Sequence, residues 1–123
     1  MTQRVGIVGG GQLGRMLALA AAPLGVECSV LDPSPDAGAR VAAAHTVAEF
    51  DDLAELRALA EASDVVTFEF ENVSAAALAT IESNGRLAPP PGALEQSQDR
   101  LLEKRLFERL GIATAEYREV GSL

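Results

Sequence analysis

The chain has 123 residues and a single cysteine, a size that suits one domain with a real core and no internal disulfide. Its hydrophobic fraction of 48% is that of a globular protein and excludes a disordered chain. The formal net charge of −8 argues against a general nucleic-acid binder, which needs a basic face. It leaves room for an anionic small ligand, because a helix N-terminus and a few arginines reverse the field locally.

Arg4-Val5-Gly6-Ile7-Val8 predicts a buried strand, and Gly9-Gly10-Gly11-Gln12-Leu13-Gly14 follows at once. A helix is expected over 12–24, with Leu13, Met16, Leu17 and Ala20 as its apolar face and Gly25 as its left-handed stop. The second strand, Glu27 to Leu31, holds Cys28 as a buried structural thiol and closes on Asp32-Pro33. Residues 34–44 read as a loop with one helical turn, and His45-Thr46-Val47 as a short strand. His45 has no partner at ligand or catalytic spacing and is read as structural.

Asp52-Leu53-Ala54-Glu55 reads as a capping-box start to a helix ending near Ala62 and burying Leu53, Leu56 and Leu59. Asp64 to Phe70 is the next strand. Ser74 caps a helix whose Val73 and Leu78 form a hydrophobic staple, with Gly85 as its stop. Arg86-Leu87-Ala88 is a short strand before Pro89-Pro90-Pro91, which reads as a stiff turn or a linker. A last amphipathic helix is expected over 98–110, with Leu102, Leu106 and Leu110 on one face and Gly111 beyond it. Strands alternating with helices define an α/β domain with a Rossmann-like parallel sheet. No signal peptide is expected ahead of the first strand and no apolar run is long enough to span a bilayer, so the expected compartment is the cytoplasm.

Four constellations could carry chemistry. Gly9, Gly11 and Gly14 match the G-x-G-x-x-G spacing between a strand and a helix, where glycines permit a tight turn, phosphate approach and helix packing. Within it, Gln12 is either a ligand-facing amide or a solvated one. Asp32 lies about twenty residues on, where a dinucleotide fold holds its ribose diol; the other reading is the start of an Asp-Pro turn. In Thr67-Phe68-Glu69-Phe70-Glu71-Asn72, two carboxylates share one strand face at the end where ligands bind, unless the strand has already ended and both are solvated. Arg100 and Lys104 share a helix face, which spacing alone reads as solvated.

Together these motifs resemble one family. Gly9 to Leu17, Asp32-Pro33 with Asp36-Ala37-Gly38-Ala39, Thr67 to Val73, and Gln98-Asp99-Arg100 with Glu103-Lys104 and Gly111 to Ala115 are similar to the N5-carboxyaminoimidazole ribonucleotide synthetases. These are the PurK-type ATP-grasp ligases of purine biosynthesis. The resemblance implies a pre-ATP-grasp, substrate-side domain over 1–96 and the incomplete start of the ATP-grasp region over 97–123. It implies ATP- and bicarbonate-dependent carboxylation of 5-aminoimidazole ribonucleotide through carboxyphosphate, with Mg2+ on the nucleotide. By position it assigns Gln12, Leu13 and Glu69 to the ribonucleotide and Arg100 to ATP, with Asp32 as a secondary candidate; Gly11 and Glu71 are further substrate-binding candidates. Catalytic and metal-binding residues of the family lie past residue 123, so these residues are expected to form an inactive amino-terminal part. Ala113 and Glu116 depart from positions where the family commonly has proline. A homodimer is left open; a nucleic acid or membrane partner is not expected. The rival readings are an NAD(P)-binding domain of an oxidoreductase, supported by Gly9 to Gly14 with Asp32, and a non-catalytic ligand-binding module.

Overall fold

The structure, a computed structural model, describes residues 2–82 and 86–121. The strands β1 (Gln3–Val8), β2 (Val26–Leu31), β3 (Ala44–Thr46) and β4 (Val65–Phe68) form one parallel sheet in the order β3-β2-β1-β4. The expected α/β architecture is therefore present. The strand order reverses at β1, because the chain builds outward through β2 and β3 and then returns to place β4 on the other side. Such a reversal opens a crevice at the carboxyl ends of the two strands flanking it. Val8 is level with Leu31 and with Phe68, so Gly9, Asp32 and Glu69 leave three adjacent strands at one height.

Successive side chains of β1 point to opposite faces. Val8 packs with Leu31 and Val66 against α2 (Leu53–Ala62) and α3 (Ala75–Glu82), whose Leu56, Leu59, Leu78 and Ile81 are buried. Ile7 lies on the opposite face with Cys28 and Val30, under α1 (Gln12–Ala21). Asp52 caps α2 by accepting the Ala54 and Glu55 amides at 3.0 and 3.1 Å, and Ser74 accepts the Ala77 amide at 3.1 Å, as their spacing predicted. The Asp52 amide goes to the Glu49 carbonyl, so the reciprocal half of a capping box is not made. A 3₁₀ turn at Ala22–Leu24 finishes α1, and Gly25 follows at φ 71°. Leu87 pairs with Val66 as a single parallel bridge, and the Arg86 guanidinium donates to the Ala60 and Ser63 carbonyls at the end of α2.

Several expectations are corrected. The face of α1 that meets the sheet is Gly14 and Ala18; Leu13, Met16 and Leu17 are exposed, Met16 by 63%. Small residues win because the glycine turn brings α1 too close to the strands for a long side chain to fit between them. Leu53 is exposed as well, at the mouth of α2. β4 ends at Phe68, so Glu69 and Glu71 sit on a loop rather than on one strand face. Pro91 opens a helix, α4 (Pro91–Gln98), where a linker or turn was expected. The last helix, α5 (Arg100–Arg109), starts two residues later than expected and buries nothing: Leu110 is 63% exposed. The predicted stop at Gly85 lies outside the described residues. No helix among the described residues is long and apolar enough to cross a membrane.

Candidate functional site

The glycine turn leaves β1 at the point where the strand order reverses. Its N–H groups point outward, as they do wherever a turn feeds a helix N-terminus. A carboxylate of the protein itself meets two of them. The Gly11 amide donates to Glu69 Oε1 at 2.8 Å, and the Gly14 amide donates to Glu69 Oε2. The negative charge lies at the positive end of α1, where it is favoured. A Cβ on Gly11 would stand 2.6 Å from Oε1, and one on Gly14 would stand 2.7 Å from both Oε2 and the Gly9 carbonyl. The glycine spacing is therefore explained by the close approach of Glu69. The expected phosphate cradle holds a side chain instead.

Asp32 is likewise occupied. Its Oδ2 accepts the Gly10 amide at 2.7 Å and its Oδ1 accepts the Ser34 amide at 2.8 Å. This is the turn-starting role, with an added pin on the glycine loop. Asp32 does not line the cavity that holds the other candidates. A dinucleotide would need its pyrophosphate where Glu69 sits, which opposes the oxidoreductase reading.

Beside the turn lies an open cavity of about 310 Å³. The segment following β4 supplies Phe68, Glu69, Phe70 and Glu71; α4 supplies Leu94 and Ser97; α5 supplies Arg100 and Glu103. Glu69 and Glu71 thus share one cavity with Arg100, a sequence candidate distant from them in the chain. Phe70 is held from behind by an edge-to-face contact with Phe50, ring centroids 5.3 Å apart. Arg100 pairs with Glu103 but keeps 82% of its side chain exposed, so it can still turn to an anion. Among the described residues Glu71 has no side-chain partner, which makes it the free carboxylate of the site. Gln12 and Leu13 stand exposed on the first turn of α1, and their amides have no acceptor among the described residues.

Lys104 does not line this cavity; it shares a separate hollow with Arg100 and Tyr117. Its ammonium donates to Thr114 and lies 5.7 Å from the Tyr117 ring centre, fastening the segment after α5. Burial pushes the Cys28 thiol up from its usual value, so it stays protonated and inert in the core. His45 is also structural in position, on the edge strand, with Nε2 buried and unpartnered among the described residues. Among the described residues no three His, Cys, Asp or Glu side chains gather as a metal site. Sequence reasoning missed Leu94 and Ser97 as cavity walls because α4 was not foreseen, and Glu103, on the foreseen last helix, was given no role. The signal was present: a proline run ending at a helix start, with Pro91 at its first position.

This sheet order, with the glycine turn and the acidic loop facing each other across the reversal point, places the chain in a class. The chain belongs to the ribonucleotide synthetase preATP-grasp domain family, whose family model matches residues 1–98. Its relatives are more specific. It is 50% identical over 117 residues to the N5-carboxyaminoimidazole ribonucleotide synthase of Brucella melitensis, a match covering 94% of this chain and 32% of that protein. The crystal structure of N5-carboxyaminoimidazole ribonucleotide synthetase from Thermotoga maritima superposes with a TM-score of 0.86 at 36% identity, over 98% of this chain and 34% of that one. The Aspergillus clavatus N5-carboxyaminoimidazole synthase, solved in complex with ADP and 5-aminoimidazole ribonucleotide, gives a TM-score of 0.82 at 35% identity, over 94% and 31%. The chain spans about a third of the length of the curated relatives it matches.

Proposed function

We propose that this chain is the substrate-side part of an ATP-dependent ligase that carboxylates the exocyclic amine of 5-aminoimidazole ribonucleotide with bicarbonate. The observation that carries the reading is the meeting of Glu71, Glu69 and Arg100 in one cavity at the strand-order reversal. The division of labour follows from their partners. Glu71, with its carboxylate free, accepts hydrogen bonds from the amine or from a sugar hydroxyl. Glu69 lines the same cavity while fixing the glycine loop, so it orients the ligand from a rigid base. The free amides of Gln12 and Leu13, with the Gln12 side chain, hold the ribonucleotide at the start of α1, while Gly11 leaves room for the Glu69 carboxylate beside them. Phe68, Phe70 and Leu94 keep water from one side of the reacting amine.

Arg100 is the group that fits the ATP phosphates, since it is cationic, forked and still exposed. ATP, when bound, supplies the phosphoryl group that activates bicarbonate. Mg2+ is assigned to residues outside this chain, and so are the catalytic groups. The region past residue 96 opens the nucleotide-binding domain in this reading, a boundary within the last turn of α4, and α5, which buries no residue, lies beyond it. A cytoplasmic setting and assembly of the longer protein as a homodimer belong to the same proposal.

The test is a titration of 5-aminoimidazole ribonucleotide into the 15N-labelled chain. Amide shifts at Gln12, Leu13, Glu69 and Glu71, without ATP turnover by these residues alone, are expected. Shifts confined to other regions would overturn the site. Saturable NAD binding lost in Asp32→Ala would promote the oxidoreductase reading instead.

A further inference from the structure

We propose that Gln98 is a positioning residue for this cavity, setting the distance between Glu71 and Arg100. Gln98 is the last residue of α4. Its Nε2 donates to the Glu71 carbonyl at 2.7 Å and to the Val73 carbonyl at 2.6 Å. A primary amide has two N–H donors, and each here has its own carbonyl. Two acceptors facing one atom also decide which end of the amide is nitrogen.

The neighbours explain why this tie matters. The segment after β4 is anchored upstream by the Glu69 carboxylate on the Gly11 and Gly14 amides. Downstream it is anchored by Val73, buried in the core. Glu71 lies between these anchors, exposed and outside any strand, and its carbonyl is held by Gln98. On the other side of Gln98 the chain turns through Asp99, whose carboxylate caps α5 by accepting the Leu101 and Leu102 amides, both at 2.9 Å. Arg100 follows directly and faces the cavity. Three consecutive residues therefore have three tasks: Gln98 ties the acidic loop, Asp99 starts the helix, and Arg100 enters the site.

Gln98 itself is exposed, so the core does not depend on it. The chemistry of the tie is also specific. Glutamate has nearly the same shape but no donor, and its charge would face two carbonyl oxygens. Asparagine is one carbon shorter and does not span to both.

The functional part of this inference rests on the ribonucleotide reading, so the experiment has one arm that needs no ligand. Gln98→Ala and Gln98→Glu are prepared in the full 123-residue chain. In the first arm, backbone 15N relaxation is followed without ligand. The order parameters of residues 71–74 are expected to fall in both variants, as for a lost local tether, with those of α2 and α3 unchanged. Unchanged order parameters at 71–74 overturn the tether. In the second arm, 5-aminoimidazole ribonucleotide is titrated. Affinity is expected to fall about fivefold in Gln98→Ala and further in Gln98→Glu, and the Gln98→Ala loss is expected to vanish in a Glu71→Gln background. A Gln98→Glu variant that binds like wild type overturns the donor role, since only shape is then needed. No saturable binding by the wild-type chain sinks the ribonucleotide reading and the functional part together, while the relaxation arm still decides the tether.

Discussion

The two faces of the sheet are covered in different ways. On one, α2 and α3 press Leu56, Leu59, Leu78 and Ile81 onto Val8, Leu31 and Val66, and all of these are buried. On the other, α1 lays Ala18 on Ile7, Cys28 and Val30, buries Gly14 beside Glu69 and Ala39, and turns its leucines to solvent. α1 and α2 both read as amphipathic in sequence, but only α2 buries large side chains, Leu56 and Leu59. The difference lies in the connections. A glycine turn closed by Glu69 holds the start of α1 tight against the strands. The longer path from β3 into α2 allows a full side-chain layer between helix and sheet.

This contrast is open to experiment. Leu78→Ala removes a fully buried side chain from the thick face and is expected to cost about 2–5 kcal/mol in chemical denaturation. A loss well under that range would mean the α3 layer is less tightly packed than described. Glu69→Ala removes the carboxylate that closes the glycine turn, leaving the Gly11 and Gly14 amides to water. It is expected to cost about 1–3 kcal/mol and to shift both amides in NMR spectra, with β2 and α3 unaffected. If stability holds and those amides do not move, the turn is not held by Glu69. The smallest effect is expected at Met16→Ser on the thin face, within about 0.5 kcal/mol, because the side chain is already exposed. A loss like that of Leu78→Ala would show that α1 packs through its long residues after all.

Much of the framework was legible. β1, β2 and the start of α2 follow from short apolar runs, a glycine stop and a capping aspartate, all of which act within a few residues. Glu69 and Glu71 were legible as candidates because carboxylates are out of place in a buried strand, whereas Arg100 read as solvated by its spacing and became a candidate only through the family resemblance. Their meeting in one cavity was not legible, since α4 carries the last wall and its proline-led start was read as a stiff turn. Asp32 and the glycine spacing were legible as a pattern but not in meaning, because a ligand and a nearby carboxylate satisfy the same amides equally well.

The residues alone determined the alternation of strands and helices, the parallel sheet, and the two anomalous acidic positions after β4. These depend on local periodicity and turn chemistry. Only the tertiary structure decided that Glu69 fills the glycine turn, that Glu71 stays free, that Gln98 ties its loop, and that α1 faces the sheet with its smallest residues. Each of these depends on a distance between residues far apart in the chain, set by how closely a helix or loop packs on the sheet, and no local pattern encodes that distance.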